Sequence, residues 1–190
     1  DNIPNYQNID PKYKGLYFDP NDEYSVPYNV GMVAVVYNTT MIDEEDVEKQ
    51  SIDLLWNPKY QGNVLTFDNA RDGFGIAQSL LHLNFNSPYK EDWDRAFDSL
   101  VEQKKVLNRG VYQVKVMDEI YGKMEGGNAA AGMYYAGDCL SMIDENEDLS
   151  LYYPVEGTNV FVDAMCIPKN AKNKENAEKL IDFLCRPEIA

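Results

Sequence analysis

The run Val33-Ala34-Val35-Val36-Tyr37 is apolar throughout and largely β-branched, with no polar residue to turn toward water. A strand of that character is buried on both faces, so other layers must cover it on each side. Further strand-like runs span 63–67, 129–135, 149–153 and 160–167. Between them lie segments with helical spacing of apolar residues: Ile76, Ala77, Leu80 and Leu81; Trp93, Phe97, Leu100 and Val101; and Ala177, Leu180, Ile181 and Leu184. These stripes are expected to face the core. Ser51 to Trp56, stopping before Pro58, reads as a short helix, as do 116–124 and 140–143, the last capped by Asp138. Strands alternating with helices predict an α/β fold, a mixed sheet flanked by helices.

The first 23 residues carry Pro4, Pro11 and Pro20 among Asn and Asp, a composition of turns that is expected to wrap a surface. The expected organisation is an irregular leading segment over 1–25, an α/β body over 26–168 and a final helix over 169–190. With 190 residues and 44% apolar content the chain can bury a core. No apolar run approaches the roughly 18–20 residues of a membrane span. The start on Asp1 and the stop directly after a strong helix suggest a piece of something longer.

A formal charge of −15 disfavours nucleic acid or anionic lipid as partner and raises the local concentration of cations. The acidic runs 43–46 and 144–148 are expected to be solvated loops or helix starts. Cys139, Cys166 and Cys185 are odd in number and far apart, so they form no complete disulfide or zinc pattern and are expected to be buried thiols. The one histidine, His82, sits beside Leu80 and Leu81 and is expected to be structural, inside the helix. Phosphate loops, nucleophile elbows, dinucleotide fingerprints and calcium loops are missing from the sequence. No catalytic residue, cofactor or metal ligand is therefore assigned. A carboxylate pair, Asp72 with Asp163, is the one arrangement that would suit glycoside hydrolysis.

Carboxylates and rings gather where strands should hand over to helices, the usual place for ligands in α/β folds. Phe161 and Asp163 are two apart in a strand and share a face. Asp68, Asn69 and Asp72 follow another strand, where Asp68 is well placed to cap a helix, and Tyr134 and Tyr135 end a third. An ammonium leaving water needs carboxylate acceptors, whereas the methylenes between two amines suit flat aromatic faces. This combination points to a small organic polycation.

Several segments together resemble the polyamine-binding (spermidine/putrescine) components of ABC transporters: 24–31 (YSVPYNVG), 54–62 (LLWNPKYQG), 67–72 (FDNARD), 124–126 (MEG), 132–137 (GMYYAG) and 161–168 (FVDAMCIP). The resemblance implies a periplasmic-binding-protein type II-like lobe, in a family whose two lobes close on the ligand about crossing strands. This chain then corresponds mainly to the second lobe, with crossings near 26–36 and 161–167. By resemblance the amine-binding motif Asp-Ala-Arg-Glu reads Asn69-Ala70-Arg71-Asp72 here, so Asp72 keeps an acid and Asn69 replaces one by an amide. Two tryptophans of the family correspond to Tyr135 and Phe161, and Asp163 keeps its acid. The implied ligand set is Asp163, Phe161, Tyr135, Asp72 and Asn69, with Asp68 and Tyr134 beside it. Loss of a charge and of ring area suggests a shorter diamine. The resemblance also implies an extracytoplasmic location, a membrane permease as partner and no enzymatic activity; an exposed apolar face makes self-association of the piece an expectation. Rival ligands on the same architecture are an iron complex, thiamine or a sugar derivative.

Overall fold

A computed structural model describes residues 2–107, 114–115 and 117–189. The chain divides into two compact units, one of Met32–Val160 and one formed by Asp1–Gly31 with Phe161–Ala190. The elements in order are β1 (Val26–Asn38), α1 (Glu44–Val47), β2 (Val64–Phe67), α2 (Ala70–Leu80), α3 (Lys90–Leu107), β3 (Val114–Lys115), α4 (Met117–Glu125), β4 (Ala131–Tyr135), α5 (Ala136–Glu145), β5 (Leu149–Tyr152), β6 (Val160–Met165) and α6 (Lys174–Leu184). Short 3-10 turns lie at Pro4–Asn8, Pro11–Tyr13, Ile52–Trp56 and Pro58–Tyr60. Val116, expected to open the fourth helix, lies outside the described residues.

In the larger unit the sheet runs β3-β2-β4-β1-β5. β2 is parallel to β3 and to β4, pairing Leu65 with Gly132, while β1 is antiparallel to β4 and to β5. The expected mixed sheet is thus present, and Val33 to Val36 are buried in its middle. They pack with Ile52, Leu54 and Leu55 of the 3-10 turn, Ile76 of α2, Ile120 and Met124 of α4, and Cys139 and Met142 of α5. No helix among the described residues is long and apolar enough to cross a membrane.

Four local expectations are corrected. Trp93 and Phe97 are 38% and 56% exposed, and α3 instead buries Ala96 and Gln103. The reason is polar: the Gln103 amide donates to the Leu55 carbonyl at 3.0 Å and the Trp56 indole to the Ser99 carbonyl at 3.0 Å, which fixes the inward face. Trp93 stays partly covered by a tilted ring contact with Phe74, centroids 5.7 Å apart. His82 lies beyond the end of α2 with φ of +53°, closing the helix in the left-handed conformation that often stops one. α5 begins directly after Tyr135, so Asp138 sits in its first turn and does not cap it. Cys166 is exposed, because it follows the end of β6; Cys139 and Cys185 are buried as expected, and burial pushes the Cys139 thiol up to about 12.

In the smaller unit β6 pairs with β1. The leading segment packs on α6, where Asn5 donates twice to Asp182, at 2.7 and 2.8 Å, and Asn8 donates to the Cys185 carbonyl at 3.2 Å. The wrapping role expected for the proline-rich start thus has specific hydrogen bonds. Asp19, 5% exposed, organises the approach to β1 by accepting from the backbone N–H groups of Glu23, Tyr24 and Ser25 and from the Ser25 hydroxyl. Burial alone would raise its pKa, but the Ser25 hydroxyl and these N–H donors outweigh it and hold the carboxyl below its ordinary value.

Candidate functional site

β2 and β4 lie side by side and parallel, so their carboxyl ends come out at one edge of the larger unit, each followed at once by a helix. That juxtaposition brings together two residues 63 apart in sequence. The Tyr135 hydroxyl donates to Asp72 Oδ2 at 3.2 Å. Asp72 belongs to the first turn of α2 and is only 3% exposed. A carboxylate there is favoured by the positive end of the helix dipole, and the Tyr135 hydroxyl returns part of the solvation lost on burial.

The second acceptor oxygen of Asp72 is served by a residue that reasoning from the sequence missed. Asn159 Nδ2 donates to Asp72 Oδ1 at 2.8 Å from 87 positions away. Nothing in the local pattern marks it, since a single Asn before an apolar strand reads as a turn residue. Both donors to Asp72 are neutral. No lysine or arginine forms an ion pair with Asp72 among the described residues.

The neighbours of Asp72 take different parts. Asn69, not Asp68, is the N-cap of α2: its Oδ1 accepts from the backbone N–H groups of Arg71 and Asp72 at 3.0 and 3.3 Å. The two residues are equally good caps, and the one in register with the first helical turn takes the position. Asp68 is left with an exposed side chain. Tyr134 points to the other face of β4 and is 4% exposed within the core. Its hydroxyl donates to the Met117 carbonyl at 3.1 Å, its ring lies edge-on to Tyr121, and burial pushes its pKa up to about 12.

The remaining two residues predicted to bind ligand, Phe161 and Asp163, belong to the smaller unit. They share one face of β6, with Phe161 half-buried and Asp163 exposed. The Phe161 ring lies so close over Gly31 of β1 that a Cβ at that position would overlap it. Gly31 therefore serves as the floor on which the ring rests.

The whole chain, residues 1–190, matches the family described as bacterial extracellular solute-binding protein, and the chain belongs to it. Among known relatives it is 34% identical over 188 residues to the spermidine/putrescine-binding periplasmic protein of Salmonella typhimurium, covering 99% of this chain and 52% of that protein. The chain thus spans about half the length of the curated relatives it matches. Its fold is similar to that of the PotD substrate-binding protein of a Streptococcus pneumoniae spermidine/putrescine ABC transporter, with a TM-score of 0.82 and 32% identity over 98% of this chain and 55% of that one. A lipoprotein of Treponema pallidum shares the fold at a TM-score of 0.87 and 23% identity, over 99% of this chain and 58% of that one. The expected periplasmic-binding-protein-like architecture is thereby shown.

Proposed function

We propose that the full-length protein captures a polyamine outside the cytoplasm and delivers it to the permease of an ABC transporter, without catalysing a reaction. The observation that carries this reading is Asp72, a buried carboxylate satisfied only by neutral donors and lacking an ion-pair partner among the described residues. A buried charge without a counter-charge is costly, and a protonated amine from outside would offset that cost. Tyr135 supplies both a hydroxyl to the acid and a ring for methylenes. In the smaller unit, Phe161 and Asp163 offer the same pairing of ring and acid on one strand face. The names of the relatives support the same ligand class.

In this reading Met32–Val160 corresponds to the second lobe, and the N- and C-terminal segments belong with the first. Asn69 is committed to its helix, so unit charge at the α2 end comes from Asp72, with Asp68 exposed beside it. That charge count favours a short diamine such as putrescine over a longer polyamine. The exposed aromatic pair Tyr17 and Phe18 and the half-exposed Phe183 make self-association of the 190-residue piece a further proposal, tested by sedimentation.

Calorimetric titration of the full-length protein with putrescine and spermidine tests the reading. Asp72→Ala and Asp163→Ala are each expected to weaken binding by about 2 kcal/mol or more, roughly 30-fold. Affinity unchanged in both variants would reject polyamine capture by these residues.

A further inference from the structure

We propose that Asn159 is a positioning residue for the amine site, fixing the Asp72 carboxylate in one orientation while leaving its negative charge for the ligand. The inference rests on the reading of Asp72 as an amine acceptor. Among the described residues each carboxylate oxygen has one neutral donor, Asn159 on Oδ1 at 2.8 Å and Tyr135 on Oδ2 at 3.2 Å. A carboxylate offers about four lone-pair sites, so acceptor capacity is left on each oxygen for an ammonium.

The backbone that carries the Asn159 amide is held from two sides. Its own backbone carbonyl accepts from Val33 N at 3.1 Å, and the adjacent Thr158 hydroxyl donates to the Val33 carbonyl at 2.7 Å, tying the segment to β1. One residue earlier, the Gly157 carbonyl accepts from the Ser79 hydroxyl at 2.5 Å, tying it to α2. Ser79 follows Asp72 by seven residues, two turns along the same helix face. Gly157 has φ of +98°, a conformation that a side chain would resist, and it lets the segment turn between these anchors. With its backbone so fastened, Asn159 presents its amide to Asp72 from a fixed base, which favours the carboxylate orientation that meets it.

The chemistry of the amide matters as much as its place. Lysine or arginine at 159 would neutralise the acid internally and compete with an ammonium, and an apolar residue would leave Oδ1 unsatisfied on burial. Aspartate would set two like charges in contact. Asparagine alone among these donates a hydrogen bond without consuming the charge.

A double-mutant cycle in the full-length protein tests this, with putrescine as the titrant. Asn159→Ala is expected to weaken putrescine binding about tenfold in the parent and less than about twofold in the Asp72→Ala background, because its effect is transmitted through that carboxylate. Asn159→Leu, close in volume, is read alongside, and thermal midpoints of all variants report folding separately. Equal losses in both backgrounds would show a merely structural role and overturn the proposal, as would wild-type affinity in both Asn159 variants. If Asp72→Ala itself binds as the parent does, or the parent binds no putrescine, the amine-acceptor reading falls and this inference falls with it. Loss on Asp72→Ala with no coupling to Asn159 rejects the inference alone.

Discussion

Two adjacent tyrosines illustrate how alternation in a strand divides labour between neighbouring residues. Tyr135→Phe removes the hydroxyl that reaches Asp72 and is expected to weaken amine binding by about 1 kcal/mol, roughly fivefold, and also to lower stability, because Oδ2 of the buried carboxylate loses its donor. Tyr134→Phe removes the hydrogen bond to the Met117 carbonyl and is expected to lower stability by about 1 kcal/mol while changing amine affinity less than Tyr135→Phe does. Urea unfolding and calorimetric titration of the two variants separate the effects. The sequence made both rings visible as candidates, and period-two alternation put them on opposite faces. What it could not provide was the direction of either face, which depends on α4 arriving behind Tyr134. Asn159 was less legible still, because its partner is distant in sequence and no periodicity links them. The same limit explains Asp68 and Asn69, two competent caps whose order is decided by where the first helical hydrogen bond falls.

At the level of single elements, the α2 cap and the β1 glycine give the sharpest expectations. Asn69→Ala should cost about 1 kcal/mol of stability, whereas Asn69→Asp should preserve the cap and add a negative charge beside Asp72. The second variant is expected to shift preference toward spermidine relative to putrescine, as measured by the ratio of their dissociation constants. Gly31→Ala drives a methyl into the Phe161 ring and should destabilise by about 1–3 kcal/mol, with Phe161→Ala in the same chain recovering part of the loss. Independent penalties in that pair would contradict the close packing. The strands and helices themselves were largely readable, since β-branched runs and 3.6-residue stripes are properties of short windows. The two-residue β3 was not, as it carries too little pattern. In α3 the stripe through Trp93 and Phe97 was real, but a stripe names a face and not what lies against it, and the amide of Gln103 set the rotation.

For the molecule as a whole, charge and thiols give independent expectations. Asp19 titrates below the ordinary carboxylate range when folded, so its contribution to stability is fully present above the unfolded value of about 4 and is lost as pH falls through that value toward the folded one. Asp19→Asn should therefore flatten the acid side of the stability profile, visible as a urea midpoint that depends less on pH in that window. An unaltered slope would mean that other carboxylates govern acid unfolding. Alkylation of the native 190-residue chain should mark Cys166 rapidly and reach Cys139 and Cys185 only on unfolding, which mass spectrometry resolves.

Val33 and Asn159 stand next to the two places where the chain enters and leaves the larger unit, and a backbone hydrogen bond of 3.1 Å joins them. A stretch whose beginning and end already touch behaves as a cassette. Residues 32–160 are accordingly expected to tolerate insertion into a host loop, or reopening elsewhere once a short linker joins the touching ends, with the Asn159–Asp72 hydrogen bond carried along.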